Sequence, residues 1–202
     1  MSVKFQYNKT SLQSMNKQLQ IRLRALPTLK NKESALRMEV KAAKNKTAEI
    51  AAALEKLIRQ QDKDLKMWNE FDSTLVEVEK INIRYNKIAG VKTPVLEDVD
   101  FNIRDFNVFL KPKWFLEGIG IIEELMKLVI EKELSVKKME MLEYARKKTT
   151  QKVNLYEKVQ IPEYQNAIRK IKRFLEDEEN LTKAAQKIVK TRQQQKIREA
   201  EL

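Results

Sequence analysis

Neither imidazole nor thiolate chemistry is open to this chain, because it contains no histidine and no cysteine. Disulfides, metal sites built on those ligands and every nucleophile–histidine pair are thereby excluded. Carboxylates are left as candidates. Glu123–Glu124 and the run EDEEN at 176–180 set acids side by side. General acid–base work needs a cleft that shifts pKa values, and these acids read as solvated helix faces. Phosphate binding needs backbone N–H groups presented by a glycine-rich turn. The one close glycine pair, GIG at 118–120, has no third glycine and no following Lys-Ser/Thr, so it reads as close helix packing. The expectation is a chain with no catalytic residue, no cofactor and no metal.

Charge and apolar stripes remain as the functional resources. The net charge is +12, and it is unevenly placed. Residues 1–32 carry seven Lys/Arg and no acid, and residues 183–202 carry six against Glu199 and Glu201, so the two ends hold +7 and +4. The 150 residues between them are nearly neutral. No apolar core of a secretory signal opens the sequence, in MSVKFQYNKT. The most apolar run, residues 114–130, carries Glu117, Glu123, Glu124 and Lys127 and is not expected to span a bilayer. A soluble protein of a reducing compartment is expected.

Long helices must position these features. Three glycines and four prolines in 202 residues leave few loops, and 35 % charged residues with much Ala, Leu, Lys, Glu and Gln is a long-helix composition. From Leu12 to Val78 a seven-residue repeat runs without a break in phase. One seam position reads Leu12, Leu19, Leu26, Glu33, Val40, Thr47, Leu54, Gln61, Trp68, Leu75, and the other Met15, Arg22, Leu29, Leu36, Ala43, Ile50, Leu57, Asp64, Phe71, Val78. Fifteen of the twenty are apolar, a strong coiled-coil pattern that would extend roughly 100 Å at 1.5 Å per residue. Pro27 is expected to bend or break it. The polar members Arg22, Glu33, Gln61 and Asp64 either stay wet at the seam edge or set register against a second leg.

Period two then replaces period seven. INIRYN (81–86) and VDFNIR (99–104) alternate, and KIAGVKTPVLED between them holds Gly90 and Pro94, predicting a β-hairpin with a long turn. Pro112 suits a helix start. Residues 114–130 are apolar at eleven of seventeen positions, enough to bury two faces against two partners. Past residue 150 a narrower stripe follows: Val153, Tyr156, Ile161, Tyr164, Ile168, Ile171, Leu175. It thins afterwards, and the last residues are expected to fray.

The predicted fold is mainly α, a long antiparallel two-helix coiled coil (a helical hairpin) with a small β-hairpin at the turn region. Its parts are a first coiled-coil helix within 1–80, the β-insert at 81–112 and a second helix at 113–202, kinked near Pro162. Both basic ends then meet at one tip carrying Lys9, Lys17, Arg22, Arg24, Lys187, Lys190 and Arg192. On its own the tip charge reads as plain solvated surface. Trp68, Phe71, Val76, Ile122, Met126 and Val129 form a candidate partner-docking face.

Three stretches carry a resemblance to a known family. YNKTSLQSMNKQLQ with LKNKESAL near the start, IAGVKTPV in the middle (Gly90, Pro94) and KVNLYEKVQIPEYQNAIRKI at 152–171 (Val153, Asn154, Glu157, Val159, Ile161, Pro162) together resemble the D subunits of V-type (A/V-type) rotary ATPases and ATP synthases. Leu155–Tyr156 departs from that pattern, where the family more often has Ala-Leu shifted by one. The resemblance implies a non-catalytic central-stalk rotor shaft that couples ATP hydrolysis or synthesis to H+ or Na+ transport, with a basic tip suited to turning inside a protein collar. It implies as partners the catalytic-ring A and B subunits, the small F subunit of the stalk and a membrane-side rotor socket of C/d type. It also implies no nucleic acid, no direct membrane insertion and a cytoplasmic place peripheral to the membrane. Pro162 then either kinks a continuous shaft helix or opens a helix restarted after TTQK, where proline costs little. The alternative from another class is a nucleic-acid-binding or scaffolding coiled coil; no helix-turn-helix or RNA-binding signature supports it.

Overall fold

A computed structural model of the chain describes residues 4–61, 68, 70–106, 111, 112 and 114–200, without the side chains of 73 and 197–200. Its elements in order are helix α1 (Lys9–Gln61), strands β1 (Val76–Ile88) and β2 (Val91–Ile103), helix α2 (Trp114–Asn154), a π-helical turn (Leu155–Gln160) and helix α3 (Ile161–Ala200). The class is mainly α, two long helical legs with a two-stranded antiparallel hairpin between them in sequence. Contacts divide the chain into one compact unit of residues 1–30 and 150–202 and another of residues 31–149.

Helix α1 opens on an Asn8 cap, whose Oδ1 accepts the Ser11 N–H at 2.7 Å and satisfies one of the free amides of the first turn. Every seam position from Leu12 to Gln61 is buried or half-buried, as the heptads predict. Pro27 neither breaks nor ends the helix. Its ring removes one hydrogen bond, but it lies on the exposed side, where water reaches the carbonyl it leaves free. Asp64 and the helix start at Lys113 lie outside the described residues. The helical reading to residue 80 fails at its end: a 3-10 turn at Ser73–Leu75 leads into β1 at Val76, so Leu75 and Val78 are not coiled-coil positions.

In the unit of residues 1–30 and 150–202, α1 and the second leg run antiparallel. Tyr7 stacks with Phe174, Arg22 reaches Gln160 and Lys30 pairs with Glu157, partner numbers falling as α1 numbers rise. Leu19, Ile161 and Ile168 are buried with Leu12, Met15, Leu26 and Tyr164 packed around them. Val153, Ala167 and Ile171 are buried too. Near Pro162 the chain stays helical on both sides: Asn154 and Ile161 keep right-handed helical dihedrals and the turn between them is π. A restart after TTQK is therefore overturned, since residues 149–152 lie within α2. From Glu176 to Lys196 every side chain is exposed, yet the helix persists to Ala200 where fraying is expected from the sequence. Strong helix formers, no glycine or proline, and the Lys183–Glu179 pair at i,i+4 sustain it.

The unit of residues 31–149 contains the hairpin and two core clusters. Leu36, Val40, Ala43 and Leu142 form one, with Ile88, Ala89 and Val91 of the hairpin tip packed on it. Leu75, Val76, Phe115 and Ile119 form the other, with Phe71, Phe101, Trp114, Ile122 and Met126 around them. The second apolar face of α2 is thus covered by the base of the hairpin. Each strand is thirteen residues long and the turn is only Ala89–Gly90, both with positive φ (48° and 85°), the tight hairpin turn that matches strand twist. Pro94 belongs to β2, opposite Tyr85, not to a turn. A proline fits there because each strand of a two-stranded sheet is an edge. Bulges at Val78/Lys80 and Asn82/Ile83 put Val76, Val78, Ile81, Ile83 and Tyr85 on one face and Ile88 on the other. The ribbon turns over between its base and its tip, as strongly twisted two-stranded sheets do.

The two close glycines have different roles. A Cβ on Gly118 would lie 3.1 Å from the Phe71 ring and 3.4 Å from the Trp114 ring, whereas one on Gly120 would meet nothing within 4 Å. Gly118→Ala is expected to lower stability by about 1–2 kcal/mol, because displacing packed rings outweighs the helix-propensity gain. Gly120→Ala should raise the stability of the isolated chain by up to about 1 kcal/mol. Urea denaturation of both variants checks the contrast.

Candidate functional site: the interaction surfaces

Shifted pKa values mark ion pairs and caps, not acid–base machinery. Thr74 hydrogen bonds hold Asp72 low, the Val99 N–H and then Lys127 hold Asp98 low, Arg146 holds Glu143 low and Lys183 holds Glu179 low. Arg146 is raised by the same bond to Glu143. A general acid at neutral pH needs the opposite shift. Glu124 and the acids of 176–180 are exposed, Glu123 half-buried. Gly118 and Gly120 sit inside α2, where the helix itself uses the backbone N–H groups. No described helix is long and apolar enough to cross a membrane.

The docking face predicted around residues 68–76 and 122–129 is brought together, but its centre is core. Val76 is 2 % exposed and packs on Phe115 and Ile119, so it cannot meet a partner. It sits on the inward face of a twisted ribbon, which a helical reading of residues 68–78 could not place. Phe71 stacks on Phe115 at 5.1 Å, and Trp68 meets Phe71 at 5.5 Å and Trp114 at 5.9 Å edge-on. Ile122 and Met126 lie half-buried against this cluster. Open surface remains at Val129, 41 % exposed, and at Leu116, 56 % exposed. The sequence reading missed the aromatic anchor itself; the adjacent pair Trp114–Phe115, beginning a helix, was its signal.

The basic residues divide. Lys9, Lys17, Arg24, Lys187, Lys190 and Arg192 are exposed. Lys9 and Leu12 line one groove with Glu179, Thr182 and Lys183, placing the start of α1 beside α3. Arg22 is half-buried and engaged with Gln160, Gln18 and Tyr164, so it does not serve as free tip charge. Among the other polar seam residues, Gln61 is half-buried and Glu33 bonds Arg37 at 3.3 Å.

The motif residues near 153–162 surround the π-turn. Val153 and Ile161 are buried on the seam, Pro162 is half-buried, Asn154 and Val159 are exposed, and Glu157 pairs with Lys30 at 2.7 Å. Gly90 supplies the second positive φ of the hairpin turn and Pro94 is buried in β2.

A sequence model of the ATP synthase D-subunit family matches residues 11–191. The D subunit of the V-type ATP synthase of Borreliella burgdorferi is 27 % identical over 191 residues, 93 % of this chain and 94 % of that protein. The proteins of the same description from Chlamydia felis and Chlamydia pneumoniae are each 28 % identical. Those alignments run over 181 residues (87 % of each chain) and 183 residues (88 % of this chain, 87 % of the relative).

Proposed function

This chain belongs to the ATP synthase D-subunit family and is a central-stalk component of a V-type rotary ATP synthase; we propose that it turns as the shaft and leaves the chemistry to other chains. The observation that carries this reading is the family match across residues 11–191 of a chain whose two legs pair antiparallel. Two helices joined along a seam resist bending and relative sliding, which torque transmission needs. The reading as a nucleic-acid-binding or scaffolding rod is set aside.

On this proposal the exposed ends of α1 and α3, with Lys9, Lys17, Arg24, Lys187, Lys190 and Arg192, reach into a ring of catalytic A and B subunits. Their charge lets them turn without seating in one orientation. The hairpin end faces a membrane-side rotor socket of C/d type, and the chain is cytoplasmic and peripheral to the membrane. The small F subunit of the stalk docks along α2 on the surface that includes Val129, beside half-buried Ile122 and Met126. A two-helix seam buries little core per residue and gains stability from such partners.

Co-purification from cells making the whole complex tests the assignment: the chain should bring down the catalytic ring and a small stalk protein. Val129→Glu, at an open position, should weaken recovery of that small protein by roughly tenfold, the ~1.4 kcal/mol scale of a charge placed in an apolar contact. Thermal melting of the isolated chain should stay unchanged. Undiminished recovery would exclude this face.

A further inference from the structure

The seam residues of the second leg step from Tyr156 to Ile161, a gap of five, before returning to gaps of three and four at Tyr164, Ile168 and Ile171. Five residues return to one helix face only across a π-turn, and the Ile161 N–H indeed bonds the Tyr156 carbonyl. Side chains of α1 grip this turn from across the seam. Arg22 donates from Nε to Gln160 Oε1 at 2.6 Å. Its Nη1 donates to the carbonyl and Oε1 of Gln18 at 2.9 and 2.7 Å. Its guanidinium also lies 4.5 Å from the Tyr164 ring centre and 5.8 Å from that of Tyr156. Eight residues on, Lys30 pairs with Glu157. Pro27 lies between these two fasteners in α1 and Pro162 stands two residues past the turn, and each removes a backbone donor. Both helices are short of backbone hydrogen bonds where the side chains cross.

We propose that Arg22 is a positioning residue that pins the π-turn at 155–160 and thereby fixes the rotational register of α3 against α1. A π-turn that travels along a helix rotates each residue it passes by about 100° and shifts it by about 1.5 Å. In a shaft that displacement is slip between the driven end and the load. The use of the pin in transmission rests on the shaft reading; the pin itself does not.

Hydrogen exchange on the full chain tests the pin. Arg22→Ala and, separately, Gln160→Ala should speed exchange of amides 156–161, 163 and 164 by roughly tenfold or more, while residues 36–54 and 119–142 keep their protection. The two changes combined should do little more than either alone. Additive effects, or loss of protection spread evenly through the chain, would overturn the proposal. Register is read independently with cysteines placed at 19 and 168, in a chain that has no native cysteine. That pair should cross-link efficiently in the parent and lose yield to the 19–167 or 19–169 pair in Arg22→Ala; an unaltered pattern counts against the pin. In the assembled ATPase, Arg22→Ala should lower the number of ions moved per ATP hydrolysed. A loosened π-turn with an unaltered ratio would refute the shaft reading while leaving the pin intact.

Discussion

Phe115→Ala is expected to destabilise the unit of residues 31–149 by about 3–5 kcal/mol, the range for emptying a buried aromatic site. Phe115 is 2 % exposed and is shared by three elements. Its ring lies 4.7 Å from Trp114 and 5.1 Å from Phe71, and it packs on Leu75 of the 3-10 turn and on Val76 at the start of β1. Neighbours rooted in a helix and a strand cannot both collapse into the space, so much of the cavity should persist. Both tryptophans of the chain stand in this aromatic group. Their fluorescence should shift to the red at lower urea than helix loss followed by circular dichroism, because the base of the hairpin opens first. Coincident transitions with an unchanged midpoint would show that Phe115 is not the anchor.

Deleting Lys158 is expected to cost about 3 kcal/mol, and adding Pro162→Ala to the deletion should recover most of it. Lys158 is exposed within the π-turn. Its removal leaves Tyr156 and Ile161 four apart, a spacing that an ordinary α-turn serves without shifting the seam on either side. What remains is the proline, whose ring then presses on the carbonyl one turn back in a regular helix, a cost of about 3 kcal/mol. The π-turn relieves that pressure in the parent. Chemical denaturation of the deletion, the double variant and Pro162→Ala alone gives the cycle. If the deletion is harmless, or if alanine does not rescue it, the proline and the wide turn are unrelated.

The five-residue step was written in the sequence and could have been read there. Val153, Tyr156, Ile161, Tyr164, Ile168 stand on one stripe only if one gap is too wide for an α-helix, and a proline beside that gap says where it is. The heptads of α1 were legible as far as Gln61, because a one-residue error there would expose a whole row of leucines. They mislead at the 3-10 turn and the strand that follows it. Leu75 and Val78 keep the spacing of a seam while lying in a turn and a strand, since apolar residues that cover an aromatic cluster can fall into heptad phase by chance. The alternation in the sequence understates the hairpin's length for a local reason. The bulge at Glu79 breaks the alternation, so Val76 and Val78 look unrelated to Ile81 and Ile83. Val76 resembles partner surface in the sequence for the same reason, although it is core. By sequence Arg22 fits both an interruption of the seam and tip charge, and only its cross-helix partners decide between the two.

The overturning ribbon gives the unit of residues 31–149 a mechanical property. One strand pair is lodged by Val76 in the aromatic cluster and by Ile88 in the Leu36–Leu142 cluster. These anchors are twelve residues apart, roughly 40 Å along an extended strand. Sliding one leg lengthwise against the other must drag both anchors through packed side chains together, because the ribbon between them has almost no stretch left. The hairpin therefore acts as a strap against shear, stiffest along the direction in which a bare two-helix seam is softest.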